Sequence, residues 1–326
     1  MFMGIDGGGT KTEFVLVDRG GRVRARHREG SLYHLEVGLD AAAQTLRRGV
    51  EALLAAAGLE RGDVDFAFVG VPAHGEDSAL APRLDALPSV ALEAGRYRCG
   101  NDMLCGWAGS LAGGDGISVI AGTGSIAYGE ANGRAARVGG WGELFSDEGS
   151  AYWIARQGLT LFSRMSDGRS PRGPLYELVR ARLALVHDLD LCARVYGDGQ
   201  GGRADVAGFA PLVDAAARRG DAQALAILGS AADELADIVV ATRDALGAPQ
   251  DQALDVSYSG GVFGANAQVL QAFAQALERR APALRLVTPR HGPAVGAALL
   301  AARSHASPLD AAALAVLAGE EARAWS

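Results

Sequence analysis

Apolar and β-branched residues near the start of the chain form two short runs on either side of a glycine-rich turn. The pattern spans residues 3–18, with Gly7-Gly8-Gly9-Thr10-Lys11 at its centre. Short apolar runs bounded by glycines are typical of strands, so the glycines are predicted to turn a hairpin. The same pattern recurs once at residues 117–129, around Gly122-Thr123-Gly124-Ser125, and a further strand is predicted after each hairpin. This recurrence suggests a duplicated domain.

Longer stretches with apolar residues at every third or fourth position predict helices between and after these strands. Helices are predicted at residues 39–57, 103–112, 148–165, 175–186, 205–219 and 222–246, from the glycine turn at 260–266 up to 280, and at 293–302. Further strands are predicted at 65–71, 96–99, 254–259 and 284–287, and residues 305–326 form an alanine-rich helical tail. Alternation of strands and helices indicates an α/β layer fold.

Composition limits the classes of function. The 326 residues are 49% hydrophobic, enough for two packed cores, and the net charge is −7 with a pI near 5.4. This acidic balance argues against a nucleic-acid surface, which needs clustered Lys and Arg. No apolar run approaches the length of a membrane span, and the N-terminus leads directly into a predicted strand rather than a signal segment. We therefore expect a cytoplasmic protein with no membrane partner.

The cysteines and histidines do not form a metal-binding pattern. The three cysteines, Cys99, Cys105 and Cys192, are too few and too irregularly spaced for a disulfide framework or a zinc site. The six histidines include no helical metal-binding pair. We expect reduced, mostly buried thiols and no structural metal.

The two glycine turns are suited to phosphate. Glycine lets the backbone approach an anion closely, while Thr10, Lys11 and Thr12 add hydroxyl and ammonium donors. A P-loop is excluded because Thr10 rather than Gly precedes Lys11, and because a strand rather than a helix follows. Two such hairpins facing each other would present two sets of donors across one cleft, which fits a nucleoside triphosphate. The alternative for each motif alone is an ordinary glycine-rich β-turn.

Two carboxylates are candidates for the chemistry of phosphoryl transfer, which needs an acceptor for a hydroxyl proton and a metal on the phosphates. Asp102 follows a predicted strand and precedes a predicted helix, and is the candidate general base. Asp6, at the first hairpin, is the candidate for organising Mg²⁺ through water. Asp102 is an equally good N-cap of the following helix, and that alternative stays open.

A third segment, residues 139–153, is suited to a sugar. Its glycines Gly140 and Gly142 expose backbone groups, Trp141 offers an apolar plate, and Asp147 can accept hydrogen bonds from polyol hydroxyls. Asp147 is also a good first-turn residue of the predicted helix, facing the positive end of its dipole.

The motifs together resemble a family. Their order is D-G-G-G-T-K-T, N-D, A-G-T-G-S, G-G-W-G, D-E-G-S-A-Y-W-I and S-G-G-V-F. This order is similar to the N-acetylglucosamine kinase and BadF/BadG-type ATPase branch of the sugar kinase, actin and heat-shock chaperone superfamily. The resemblance runs from Gly4 to about Ala302, and the D-E-G-S-A-Y-W-I segment is its most specific part.

The resemblance implies two actin-like, ribonuclease H-like domains that close on MgATP and a hexosamine. They are expected at residues 1–116 and 117–299, with a C-terminal helix at about 300–326 returning to the N-terminal domain. The implied reaction is ATP-dependent phosphorylation of an amino sugar, N-acetylglucosamine to its 6-phosphate, with Asp102 as base. A homodimer is the family expectation.

The resemblance also assigns residues by position. The ATP-binding residues it implies are Gly8, Gly9, Thr10, Lys11, Thr12, Gly122, Thr123, Gly124, Ser125, Ala207, Gly260 and Gly261. The sugar-binding residues it implies are Tyr33, His34, Asn101, Asp102, Gly140, Trp141, Gly142 and Asp147.

This chain departs from the family pattern at two places near the expected sugar. Tyr33 stands where vertebrate members have an Asn, and the segment His74-Gly75-Glu76 replaces their serine. One lost hydrogen bond can change discrimination between related substrates by orders of magnitude. A glucosamine kinase is therefore the close alternative.

Two more distant classes share the glycine turns. Activators of 2-hydroxyacyl-CoA dehydratases hold a 4Fe-4S cluster through paired cysteines, and here only Cys99 and Cys105 are near one another in sequence. A non-catalytic or filament-forming ATPase would hydrolyse ATP without any sugar. A repressor-type kinase is disfavoured because its Cys/His zinc motif is missing.

Overall fold

The computed structural model describes residues 1–197 and 202–324, with side chains described up to residue 320. The described chain divides into two compact units. The first holds Met1–Asp115 together with the described residues from Thr288 onward, and the second holds the described part of Gly116–Val287. No helix in the described part of the chain is long and apolar enough to cross a membrane.

The secondary structure alternates between strands and helices. The strands are β1 Phe2–Gly7, β2 Thr12–Val17, β3 Val23–Glu29, β4 Phe66–Val71, β5 Tyr97–Asn101, β6 Gly116–Ala121, β7 Ser125–Ala131, β8 Arg134–Gly139, β9 Leu254–Ser259 and β10 Leu284–Val287. The helices are α1 His34–Val37, α2 Leu39–Ala57, α3 Ala81–Ala86, α4 Met103–Ser110, α5 Ala151–Ser166, α6 Pro174–Leu183, α7 Asp190–Tyr196, α8 Arg203–Ala207, α9 Ala210–Arg218, α10 Ala222–Leu246, α11 Gly261–Ala265, α12 Ala267–Arg280, α13 Pro293–Ser304 and α14 Ala311–Ala324.

Within the described residues, each unit contains one five-stranded sheet, and both sheets have the same topology. The first has the strand order β3-β2-β1-β4-β5, and the second β8-β7-β6-β9-β10. In each, the first three strands form antiparallel pairs and the last two join in parallel. The duplication and the α/β class with two actin-like domains, predicted from the hairpins and motifs, are therefore confirmed.

The first unit packs helix α13 against the sheet with almost no space between their backbones. An added Cβ at Gly4 of β1 would overlap the backbone of Ala294 and Ala298, and one at Gly296 would overlap α4 at Cys105 and Gly109. Small residues at these crossings let α13 touch both β1 and α4. This packing fixes α4, at whose N-terminal end Asp102 lies.

The C-terminal helix α14 covers part of the same unit. Leu317 is fully buried in a cluster with Val15, Val17 and residues of α13. The backbone of Ala313 also lies directly against Gly21, where a side chain would overlap it. The alanine-rich tail therefore packs on the N-terminal sheet.

Two predicted helices and one predicted turn differ in detail from the structure. The predicted helix at 205–219 is two helices, α8 and α9, which break at Gly208-Phe209 although Val206, Val213 and Ala217 keep a helical burial pattern. The predicted start at 148 is wrong, because Ser150 caps α5 by accepting a hydrogen bond from the Trp153 amide at 3.2 Å. The predicted turn at 260–266 contains a short helix, α11, and Asn266 caps the predicted helix that follows, α12, which reaches Arg280.

Candidate active site

The first glycine turn closes between β1 and β2 and leaves its outer residues exposed. The Gly8 amide donates to the Lys11 carbonyl at 2.9 Å, and Gly9, Thr10 and Lys11 are exposed to solvent. The Lys11 ammonium forms an ion pair with the Glu13 carboxylate, at 2.7 Å. Thr12 is completely buried, and its hydroxyl donates to the Gly30 carbonyl at 2.7 Å. The turn therefore offers Thr10 and Lys11 outward, while Thr12 fastens it to the next segment.

The segment after β3 is bonded to the back of this turn. The Gly8 carbonyl accepts from the Ser31 hydroxyl at 3.1 Å and from the Leu32 amide at 3.3 Å. The Ser31 hydroxyl oxygen in turn accepts from the Tyr33 amide at 2.9 Å. The structure thereby brings Tyr33 and His34, predicted as sugar ligands, to the first phosphate turn.

His34 carries an unpartnered ring nitrogen. The side chain is 8% exposed, and its Nδ1 atom is buried with no hydrogen-bond partner. Burial lowers the pKa of this imidazole, although the nearby carboxylates of Glu76 and Asp77 oppose that shift. The ring is therefore held in its neutral form with one nitrogen available for a polar ligand.

Asn101, rather than Asp102, makes the side-chain cap of α4. The Asn101 amide oxygen accepts from the Met103 amide at 3.1 Å, while its Nδ2 donates to the His74 carbonyl at 3.1 Å. The Asp102 side chain makes no cap hydrogen bond to the helix. Capping therefore does not account for Asp102. The oxygen and the nitrogen of the Asn101 side-chain amide both form hydrogen bonds. These bonds hold the end of β5 in place, directly before Asp102.

Gly70 of β4 sets the position of Asp102 from the other side. An added Cβ at Gly70 would lie 3.1 Å from the Asp102 Cα and 2.5 Å from the Cys105 sulfur. Contacts this short force something to move, so only glycine lets α4 begin this close to β4. The sequence analysis did not single out this residue.

Asp6 and Asp102 form an acidic pair in the first unit. Burial raises the pKa of the Asp6 carboxyl well above its ordinary value, and the charges of Asp102 and Glu13 raise it further, while Lys11 opposes them. Among the described residues, no group of three or more His, Cys, Asp or Glu side chains is arranged as a metal site. Mg²⁺ on a nucleotide needs only one or two carboxylates, because phosphates and waters complete its octahedron. The acidic pair fits that requirement.

The second glycine turn joins β6 to β7 and is held by the segment that precedes α5. The Gly122 amide donates to the Gly124 carbonyl at 2.9 Å, and Thr123 is exposed. The first amides of α5, of Ala151 and Tyr152, donate to the carbonyls of Gly122 and Thr123 at 2.8 and 3.3 Å. The Ser125 hydroxyl donates to the Glu148 carbonyl at 2.6 Å. The motif D-E-G-S-A-Y thus holds the turn through the carbonyl groups of Gly122 and Thr123.

Asp147 is bonded to the same turn through its carboxylate. One oxygen accepts from the Ser125 amide at 3.3 Å, and the other forms an ion pair with Arg203. The backbone at Asp147 is left-handed, with φ of 61°, and the side chain is only 2% exposed. Burial raises the pKa of Asp147, Arg203 and the Ser125 amide oppose the rise, and Glu143 adds to it. The predicted helix-turn role is excluded, since Asp147 lies before the Ser150 cap.

Arg203, which the sequence analysis missed, lies at the centre of this arrangement. Its guanidinium forms an ion pair with Asp147, and its Nε lies 3.3 Å from a Glu143 oxygen. Its Nη2 also lies against the Cα of Gly124, where a side chain would overlap it. A lone arginine beside glycines in sequence looks like any solvated charge, and the ion pair to Asp147 spans 56 residues. No local pattern could have revealed it.

Among the remaining predicted residues of the sugar segment, Trp141 is exposed, whereas Gly140 and Gly142 are half-buried. Gly140 and Gly142 have positive φ angles of 70° and 97°, so each needs glycine at its position. Trp141 is 71% exposed, and Leu144 and Phe145 beside it are also exposed. The segment presents an apolar surface next to the Glu143, Arg203 and Asp147 charges.

The predicted adenosine loop packs on the second turn. Gly260 has φ of 99°, and an added Cβ there would overlap the carbonyl of Ala121 and the amide of Gly122. Gly261 begins α11 and has open space on its Cα. Ala207, at the end of α8, is buried. Gly260 therefore ties the end of β9 to the turn at Gly122.

The predicted residues thus divide between the two units, each of which brings its own share together. The first unit contains Asp6, the Gly8–Thr12 turn, Tyr33, His34, Asn101 and Asp102. The second contains the turn from Gly122 to Ser125, Gly140, Trp141, Gly142, Asp147, Ala207, Gly260 and Gly261.

Comparison with known proteins identifies the family. The model of the BadF/BadG/BcrA/BcrD ATPase family matches residues 3–301. The chain belongs to this family. The match covers both glycine turns, Asp102, the Asp147 segment and the loop at Gly260.

Individual relatives carry kinase names. The N-acetyl-D-glucosamine kinase of Dictyostelium discoideum is 27% identical over 319 residues, covering 93% of this chain and 98% of that protein. The N-acetylmuramic acid/N-acetylglucosamine kinase of Clostridium acetobutylicum is 31% identical over 202 residues, covering 62% of this chain and 65% of that protein. A solved structure from Chromobacterium violaceum, assigned as an N-acetylglucosamine kinase, superimposes with a TM-score of 0.71 at 29% identity, covering 92% and 98% of the two chains.

The expectation of mostly buried thiols is wrong, because, of the three cysteines, Cys105 is buried, Cys99 is half-buried and Cys192 is exposed. Burial raises the pKa of Cys99 to about 12, and its sulfur donates to the Leu84 carbonyl at 3.4 Å. Cys105 is fully buried against Gly70, and burial raises its pKa well above the ordinary value. Thiolates are the form that ligates iron. These two side chains are poorly suited to holding a cluster.

Proposed function

We propose that this chain is an ATP-dependent kinase that phosphorylates an amino sugar, N-acetylglucosamine, to its 6-phosphate. The observation that carries the proposal is the attachment of the D-E-G-S-A-Y segment to the second glycine turn. Through the Ser125–Asp147 hydrogen bond, a predicted phosphate contact and a predicted sugar contact become one structural element. Family membership and the kinase names of the relatives support the same reaction.

The nucleotide is held by the glycine turns. Thr10 and Lys11 of the first turn and Thr123 of the second are exposed donors, with glycine backbone beside them. Such groups fit the charge and size of a triphosphate. The buried Thr12 supports the first turn from behind, and Gly261, which has open space at its Cα, leaves room for the nucleoside to lie against the backbone beside Gly260.

Asp102 accepts the proton of the sugar hydroxyl as it attacks the γ-phosphate. Asn101 and Gly70 fix the backbone that carries this carboxylate, which favours an in-line geometry. Mg²⁺, associated with Asp6 through water, would neutralise charge on the phosphate oxygens.

His34 supports a polar sugar contact, since its buried Nδ1 has no hydrogen-bond partner among the described residues. A neutral imidazole nitrogen suits a hydroxyl or an acetamido group. A specific observation also favours glucosamine as a second candidate substrate. The carboxylates of Glu76 and Asp77 influence His34 electrostatically, and the same field would attract the ammonium group of glucosamine.

The proposal is tested by measuring ADP release from MgATP with a panel of sugars. The panel contains N-acetylglucosamine, glucosamine, N-acetylmannosamine, N-acetylmuramic acid, glucose and a control without sugar. We expect turnover that depends strongly on one amino sugar, which also decides between the two candidates. ADP release independent of sugar would reject the proposal in favour of an ATPase switch. Iron and sulfide in anaerobically prepared protein would instead indicate a reductase activator.

A further inference from the structure

Asp147 is shielded from solvent in the protein, although the proposed function gives it a sugar hydroxyl to bind. Its side chain is 2% exposed, and its two oxygens are occupied by the Ser125 amide and the Arg203 guanidinium. The arginine is the more exposed partner, with 36% of its side chain accessible. A sugar can therefore reach Asp147 only if Arg203 leaves it.

Among the described residues, Arg203 forms ion pairs with Asp147 and Glu143. Its Nε lies 3.3 Å from Glu143 but is buried without a hydrogen-bond partner, so the Glu143 contact is an ion pair of poor geometry. Glu143 itself is 30% exposed. If Arg203 moved from Asp147 to another anion, it would therefore lose little other binding energy, because its Nε makes no well-formed hydrogen bond.

The nearest alternative anion site is the second phosphate turn. The Arg203 Nη2 atom already touches the position where a Gly124 side chain would begin, and Thr123 beside it is exposed. A guanidinium is a strong bidentate ligand for phosphate. A small movement would carry it from Asp147 to a phosphate bound at this turn.

We propose that Arg203 is exchanged between Asp147 and the nucleotide phosphates, and that sugar binding drives the exchange. The inference rests on the proposed function. Sugar hydroxyls replace the guanidinium on Asp147, and the released guanidinium binds the phosphates at the Gly122–Ser125 turn. Sugar and nucleotide then strengthen each other's binding. When no sugar is bound, the charge of Arg203 is neutralised by Asp147 and Glu143 and does not contribute to binding of ATP.

The exchange makes opposite predictions for its two partners. Asp147→Asn removes the charge that retains Arg203 but keeps an oxygen for the Ser125 amide. Its affinity for a non-hydrolysable ATP analogue with Mg²⁺, measured by calorimetry without sugar, should rise toward the value of the wild type with sugar. Arg203→Met should keep the weaker, sugar-free affinity whether or not sugar is added. In the wild type we expect sugar to tighten the analogue about 10-fold, or about 1.4 kcal/mol.

A matched control comes from another arginine–aspartate pair in the same unit. Arg180 pairs with Asp188 and donates to the carbonyls of Leu185 and Val186, so its contacts lie at the end of α6 rather than at the glycine turn. Arg180→Met should leave the sugar-dependent gain in nucleotide affinity at the wild-type level. If Arg203→Met does not fold, Arg203→Lys keeps the charge without the planar fork, and should retain only part of the gain.

Several results would overturn the inference without touching the proposed function. One is sugar-dependent turnover in a wild type whose nucleotide affinity does not respond to sugar. Another is Asp147→Asn protein whose sugar-free nucleotide affinity is unchanged or weaker, and a third is full coupling in Arg203→Met. Absence of turnover with every sugar would instead reject the proposed function.

Discussion

The Ser125 amide donates a hydrogen bond to the Asp147 carboxylate at 3.3 Å, joining the second glycine turn to the segment before α5. The two residues belong to different sequence motifs, 22 positions apart. Because of this hydrogen bond, a movement of the second glycine turn should also move Asp147, the predicted sugar residue. The functional motifs of the second unit are therefore one mechanical element rather than two neighbouring ones.

The position of Asp102 should depend on Gly70. Gly70→Ala places a Cβ against the Asp102 Cα and the Cys105 sulfur, so the start of α4 must move. We expect kcat to fall by roughly 10- to 100-fold, because misplacement by about 1 Å is costly in catalysis. The KM for ATP should change little. Gly62→Ala, which has open space at its Cα, is the control. An unchanged kcat in Gly70→Ala would contradict the positioning role.

The contact of Gly260 with the second turn should be essential for folding of the nucleotide site. Gly260→Ala combines a positive φ of 99° with overlap against backbone atoms that cannot rotate away. We expect the free energy of unfolding to fall by about 2 kcal/mol or more, together with weaker nucleotide binding. Gly264→Ala, four residues on in α11 with open space at its Cα, should be close to neutral. Denaturant titration of both variants checks this, and equal effects would refute it.

His34 should make stability depend on pH. Burial lowers the pKa of its ring in the folded protein, while the unfolded chain titrates near the ordinary value of about 6.5. The unfolded state therefore binds the proton more readily, and stability is lost as the pH falls from about 6.5 toward the folded pKa. His34→Asn should lose less stability than the wild type between pH 7.5 and 5.5, as measured by thermal unfolding.

The exposed His187 supplies the control for this pH dependence. His187→Asn should unfold with the same pH dependence as the wild type. An identical pH dependence in His34→Asn and the wild type would show that His34 is not buried in its neutral form.

Helix α14 should contribute to the stability of the first unit through Leu317. The side chain is fully buried among Val15, Val17 and α13, so Leu317→Ala should cost about 2–4 kcal/mol of unfolding free energy. Val316→Ala, at a position 41% exposed, should cost within about 0.5 kcal/mol. Chemical denaturation compares the two. A cost for Leu317→Ala as small as that for Val316→Ala would mean that α14 does not pack as described.

The strand–turn–strand units could be predicted from sequence because glycines and β-branched runs carry that information locally. The division of residues 205–219 into α8 and α9 could not, since Val206, Val213 and Ala217 keep helical spacing across the break at Gly208. The start of α5 was misplaced because acidic residues 147–148 suit a first helix turn, and the Ser150 cap competes with them.

The residues of the candidate site could be predicted only where they belong to a recognisable sequence motif. Asp102, Asp147 and the glycine turns stand in recognisable sequence patterns. Arg203 and Gly70 act through contacts between segments distant in sequence, and neither lies in a pattern that signals its role. The burial of Asp147 beneath Arg203 is likewise a product of tertiary packing, and the sequence favoured an accessible carboxylate.

In the proposed reaction, the γ-phosphoryl group of ATP is transferred to an amino sugar with Asp102 as the base. The most direct test is to detect the phosphorylated sugar by ³¹P NMR, following its rate of formation from MgATP and N-acetylglucosamine or glucosamine by wild type and Asp102→Asn. We predict a sugar 6-phosphate from the wild type, and a rate for Asp102→Asn that is lower by roughly 100-fold or more at nearly unchanged nucleotide affinity. Near-normal product formation by Asp102→Asn would contradict the assigned base, and inorganic phosphate as the only product would contradict the kinase.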